Sequence, residues 1–161
     1  MSNQDDKYAE LQAIGESAAK ALAEMVAAVQ CDYDRLRELG ETPVGELDTD
    51  ELEELAELKE AAGECESEDD AHERIQEDPL SIELSGTWNV CSTPVADKAI
   101  ILLGTGGPAV RIVCELDSYM QPQHAWIEAQ DWFQPWTEYL GNAISRGDLL
   151  GYCSHFCFGE G

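Results

Sequence analysis

The residues best able to do chemistry in this chain are carboxylates. Positions 46 to 78 hold 16 Asp and Glu against 2 Lys and Arg. At that density a pair of carboxylates says nothing about general acid–base catalysis, because any two neighbours would qualify. Imitation of a polyphosphate is more specific. A helix rising about 1.5 Å per residue would spread these residues over about 50 Å and set a carboxylate about every 3 Å. One strand of DNA places a phosphate about every 3.4 Å. Any helix with half its residues acidic gives the same match, so the competing reading is a solvated face kept acidic for solubility. Like-charge crowding weakens a helix, which counts against solubility as the whole explanation. The expected partner-binding residues are Glu51, Glu53, Glu54, Glu57 and Glu60 on one helix, and Glu68, Asp69, Asp70 and Glu73 on the next.

Other constellations carry less. Cys153, His155 and Cys157 would share one face of a strand and could bind zinc with Cys91 or Cys114, but structural zinc usually shows two closely spaced pairs of ligands. No metal and no cofactor are expected. Gly104-Thr105-Gly106-Gly107 resembles a phosphate loop only superficially, since such loops open a helix and Ala109 to Leu116 alternates as a strand. A hairpin turn is expected there. Trp126, Trp132, Phe133, Trp136 and Tyr139 concentrate aromatic area that either closes a core or forms a binding hot spot. No nucleophile stands beside a base: His72, His124 and His155 lie in unrelated contexts, and neither Gly-x-Ser-x-Gly nor His-Glu-x-x-His occurs. The chain is not expected to be an enzyme.

The elements that must position these residues fall in two halves, and the fold class expected is α+β. Residues 1 to 79 read as an acidic helical region, residues 80 to 161 as a mostly antiparallel sheet, folding as one cooperative unit. Tyr8, Leu11, Gly15, Ala18, Leu22, Met25 and Val29 step by three and four, a heptad seam predicting one long helix from Asn3 to Leu39 and a homodimer across it. Asp48 with Glu51 predicts a capping box, Leu52, Leu55 and Leu58 an apolar stripe, and Gly63 the stop. Ser67 with Asp70 predicts the cap of a third helix through Ile75, closed by Pro79. Leu80, Ile82 and Leu84 alternate, Ala99 to Leu103 is a continuous apolar run, and Ala109 to Leu116 alternates again. Strands are further expected over His124 to Gln130 and Leu149 to Phe158.

The formal net charge of −25, from 34 acidic and 9 basic residues, exceeds what solubility requires. It excludes ordinary nucleic-acid binding, which needs clustered Lys and Arg, and disfavours an anionic membrane. Residues 1 to 83 carry 26 of the acids and 6 of the bases. Basic proteins are the partners this charge favours. Neither a signal-peptide pattern nor a long apolar run is present, so a cytoplasmic protein is expected, with its six cysteines as free thiols.

The segments Ile101-Leu102-Leu103-Gly104-Thr105-Gly106-Gly107-Pro108-Ala109-Val110-Arg111-Ile112-Val113, Ala125-Trp126-Ile127-Glu128, Asp131-Trp132 and Pro135-Trp136-Thr137-Glu138-Tyr139 resemble acidic proteins of unassigned function from bacteriophages and prophages. The resemblance covers about half the chain and implies a host-cell cytoplasmic setting in which small acidic proteins counter host defence, anti-CRISPR and antirestriction DNA mimics among them. Together, charge and resemblance predict an inhibitor that fills the basic groove of a nucleic-acid-targeting host complex. The alternative is a structural or assembly protein that binds a virion or scaffold partner through the helix seam and the aromatic cluster.

Overall fold

The computed structural model describes residues 2–88, 94–104, 108–131 and 135–156. Helices α1 (Ser2–Gln30), α2 (Tyr33–Glu41), α3 (Thr49–Ala62) and α4 (Glu68–Glu77) precede a five-stranded sheet, and α5 (Arg146–Cys153) follows it. The strands β1 (Ser81–Trp88), β2 (Pro94–Gly104), β3 (Ala109–Leu116), β4 (Pro122–Gln130) and β5 (Thr137–Glu138) lie in the order β1-β2-β3-β4-β5, each antiparallel to the next. The fold is α+β, as the change of hydrophobic period implied. No helix among the described residues is long and apolar enough to cross a membrane.

The chain divides into two compact units, residues 24–75 and a discontinuous unit of residues 1–23 with 76–161. The boundary expected at 79/80 therefore falls close to 75/76, but the first 23 residues group with the sheet.

In the sheet unit the register aligns Ile82, Ile101, Ile112 and Ile127 in one row across four strands. Ile101, Ile112 and Ile127 are buried, as are Ala99 and Cys114 on the same face. Helix α5 packs on β4 with Leu149, Tyr152 and Cys153 buried, positions that share one helical face. Of the strand expected over Leu149 to Phe158, Leu149 to Cys153 lie in this helix, and residues 157 and 158 lie outside the described residues. The start of α5 was written in Ser145, whose Oγ accepts from the Asp148 N–H at 3.1 Å, an N-cap that outweighs the local run of apolar residues. Tyr152 is fully buried and donates its phenol proton to Asp78 at 2.8 Å. Burial, with the Asp78 charge added, pushes the Tyr152 phenol far above its usual value.

The long helix expected to Leu39 is two. Asp32 interrupts it in extended backbone and caps α2 by accepting from the Arg35 N–H at 3.0 Å. The phase shift of the apolar stripe at Tyr33 marks that break. Of the seam residues, Leu11, Gly15, Leu22 and Met25 are buried within the single chain, Ala18 and Val29 are half-buried and Tyr8 is exposed. Ala19 is fully buried where Ala18 is only half-buried. Covering the stripe therefore does not require a second copy.

Gly15 shows how close α1 comes to the sheet unit's own chain. A Cβ there would stand 2.7 Å from Tyr139 Cβ, an atom fixed by backbone that no rotamer change can move aside. Gln12 adds a clamp, donating to the Glu138 carbonyl at 2.8 Å and accepting from the Leu140 N–H at 2.9 Å. Replacing Gly15 by Ala should improve helix propensity by about 1 kcal/mol, but overpacking against a fixed atom costs about 1–3 kcal/mol. Gly15→Ala is therefore expected to lower the urea midpoint. A raised midpoint would show that α1 does not hold this contact.

Candidate functional site

The acidic residues concentrate in the unit of residues 24–75, which carries 19 acids and 4 bases. Its interior is small and wholly apolar: Met25, Val26, Ala28, Leu39, Leu47, Ala62, Ala71 and Ile75. Tyr33 spans from α2 back to the end of α1, donating to the Ala28 carbonyl at 2.7 Å, and burial pushes its phenol up to about 12. Helix α3 begins in the expected capping box, Asp48 accepting from the Glu51 N–H at 2.8 Å while Glu51 accepts from the Asp48 N–H at 3.3 Å. It ends at Gly63, whose φ of 59° suits glycine. Of the leucine stripe, Leu55 and Leu58 are half-buried and Leu52 is exposed, so the apolar face runs through Leu55 and Leu58 to buried Ala62.

The structure sorts the nine expected carboxylates by what they already do. Glu51 closes the capping box. Glu54 turns toward α2, where Arg35 donates from Nε at 2.9 Å and from Nη2 at 3.1 Å, and Arg35 also pairs with Glu38 at 3.3 Å. That two-pronged bond holds the Glu54 carboxyl below its usual value. On α4, Asp70 accepts from the Glu66 N–H at 3.1 Å, and Glu68 lies 3.4 Å from His72. Ser67 caps this helix by accepting from the Asp70 N–H at 3.2 Å. Glu53, Glu57 and Glu60 on α3, and Asp69 and Glu73 on α4, are exposed.

Asp50 joins the α3 set. It was not singled out in the sequence, yet the spacing Asp50, Glu53, Glu57, Glu60 puts four exposed carboxylates within an arc of about 80° at 100° per residue. Their steps along the axis are about 4.5–6 Å, sparser than one DNA strand at about 3.4 Å. The uninterrupted line about 50 Å long expected over residues 46 to 78 is not formed. Gly63 divides it into helices of 14 and 10 residues.

The other candidate constellations disperse. Cys153 ends α5 and shares a thiol hydrogen bond with Cys114, which together with burial raises the Cys153 pKa and keeps that thiol neutral. His155 instead donates from Nδ1 to the Gly151 carbonyl at 2.8 Å, and Cys91 and Cys157 lie outside the described residues. Among the described residues no group of three His, Cys, Asp or Glu is placed to hold a metal ion. Trp126 donates to Glu128 at 3.0 Å, Glu128 pairs with Arg111 at 2.6 Å, and the Arg111 guanidinium lies 4.1 Å from the centre of the Trp136 ring. Tyr139 belongs to the contact with Gly15. Trp132, Phe133 and residues 105–107 of the expected hairpin turn lie outside the described residues.

No protein-family model, curated protein or solved structure significantly matches this chain. The site therefore rests on its own geometry.

The sorting of Glu54 from its neighbours has a measurable consequence. A carboxyl whose folded pKa is depressed contributes stability above its unfolded pKa, about 4.3 for Glu, and loses it as pH falls through the folded value. Glu54→Gln should melt below the parent at pH 7, and the gap should narrow as pH falls below about 4.3. Glu53→Gln should instead melt no lower at pH 7, since it breaks no pair and relieves repulsion. Equal melting of the Glu54→Gln variant and the parent at pH 7 would remove the structural role given to Glu54.

Proposed function

We propose that this protein is a stoichiometric inhibitor that binds a basic, nucleic-acid-binding protein surface, its carboxylates taking the place of phosphates. The observation that carries the reading is the exposed ridge Asp50, Glu53, Glu57 and Glu60 on α3, with Asp69 and Glu73 on α4, in a unit whose acids outnumber its bases 19 to 4. Glu51, Glu54, Glu68 and Asp70 have local bonding partners, and under this reading they shape the surface more than they contact the target.

Physical cost separates this reading from a merely soluble face. Carboxylates three and four residues apart on a helix repel one another, and solubility is reached at a much smaller net charge. A basic groove converts that repulsion into affinity by releasing the counterions held on both surfaces. The sparse spacing of the ridge fits recognition by flexible Lys and Arg side chains more than a copy of a phosphate backbone. The resemblance to phage and prophage proteins suggests a host defence complex as the target. The reading requires no catalytic residue and no cofactor. An assembly role through the α1 seam is less favoured, because the central seam residues are buried within the chain.

The test is capture of partners from a host extract at moderate salt, followed by competition with duplex DNA and with RNA. The captured protein should be unable to hold this chain and its nucleic acid together. Changing Asp50→Asn, Glu53→Gln, Glu57→Gln and Glu60→Gln together should cut affinity by about tenfold or more, mainly through slower association, and should flatten its salt dependence. The variant should fold normally. Undiminished affinity, or a stable ternary complex with nucleic acid in the groove, would rule the reading out.

A further inference from the structure

The last strand of the sheet stops short. β5 is only Thr137–Glu138, pairs with Glu128 and Ala129, and is followed by one further bond, from the Tyr139 N–H to the Ile127 carbonyl at 2.7 Å. There the chain turns away to the Gln12 clamp. Backbone groups in an antiparallel ladder face alternate neighbours residue by residue. Ile127 and Ala129 face β5, so the N–H and C=O of Ala125 face the same way, beyond the point where β5 has ended. A cavity of about 400 Å³ opens at this edge. Its walls include Ala125 and Trp126 of β4 and, from the α5 side, Ile144, Leu149 and Leu150.

The charges lining the cavity are two carboxylates, Glu115 and Glu138, against one guanidinium, Arg146, with His124 beside them. Register puts both carboxylates on one face of the sheet: Glu115 is opposite His124, Glu138 is opposite Glu128, and His124, Trp126 and Glu128 alternate together along β4. Ala125 and Ile127 point to the other face, toward the apolar side chains of α5.

We infer that this slot takes an extended basic segment of a partner protein, which adds to the sheet beside β4 through the backbone of Ala125. A residue set opposite Ala125 would turn its side chain toward Leu149 and Leu150. Its two neighbours would turn theirs to the face that carries Glu115 and Glu138. The pattern selected is basic, apolar, basic. A second copy of this chain is a poor occupant, since each copy carries a net charge of −25. The inference does not depend on the α3 carboxylates acting as phosphate mimics.

The probe is a blocked heptapeptide of alternating Lys and Val, with an alternating Glu and Val peptide as control. Hydrogen exchange read by nuclear magnetic resonance on the intact protein should show the Ala125 amide becoming at least about tenfold better protected with the Lys peptide and unchanged with the Glu peptide. Ala125→Pro removes a donor that faces the slot and not β3, a substitution edge strands tolerate. It should weaken binding about tenfold or more at an unchanged melting temperature. Glu115→Gln with Glu138→Gln should weaken binding and reduce its salt dependence. Neutralising Asp50, Glu53, Glu57 and Glu60 should leave Ala125 protection intact, which separates this site from nonspecific attraction to the acidic helices. An Ala125 amide that stays unprotected at millimolar Lys peptide, equal protection by the Glu peptide, or protection lost only in the α3 variant would overturn the inference.

Discussion

Repulsion among carboxylates is the constraint that the helical unit must satisfy first. With 19 acids and 4 bases in residues 24–75, the like charges favour expansion, and the interior opposing them is built from a few apolar side chains, alanines among them. The helices meet this demand locally. Each start uses acid where the backbone offers unpaired N–H groups: Asp32 for α2, Asp48 with Glu51 for α3, and Asp70 reaching back to Glu66 at α4. An acid at such a place is held by the positive end of the helix dipole, so part of the charge is absorbed into structure. The four basic residues can answer only a fraction of the rest. Arg35 is used twice, on Glu38 and Glu54.

The sheet unit solves a different problem with different means. The isoleucine row needs a cover, and α5 supplies part of it with one buried face. The opposite face carries buried Val113 together with polar groups that bond one another. There Arg111 lies across from Glu128, and Trp126 and Trp136 hold the pair from two sides. Opposed charges on neighbouring strands support the register, and the rings reduce the water competing for the pair. No charged side chain among the described residues is fully buried in either unit.

Caps, stops and strand alternation were read reliably from the sequence, whereas apolar runs and signals that needed a partner in space were not. The capping box at Asp48, the stop at Gly63 and the alternating strands were legible because each is decided within a few residues. The break at Asp32 was missed, because the regular seam before it argued for one continuous helix. Leu149 to Cys153 were misread as strand because an apolar run fits a buried helix as readily as a strand, and the deciding residues, Ser145 and Asp148, lie upstream. At the candidate site, composition identified the acidic helices. It could not separate Glu53 from Glu54, since only the position of Arg35 on α2 distinguishes them. The slot beside β4 had no signature at all, because it exists where β5 ends early.

The Gln12 clamp joins residues 126 and 128 positions apart. During synthesis at about 5–20 residues per second, the partners of the first helix would therefore leave the ribosome about 6–25 s after the helix itself. Throughout that interval the helix around Gln12 and Gly15 lacks its β5 partner, and in the later part of it residues 24–75 are already complete. The nascent chain is then an exposed amphipathic helix tethered to a strongly anionic body. The same charge that shapes the finished protein would keep such chains apart on a polysome until the sheet arrives.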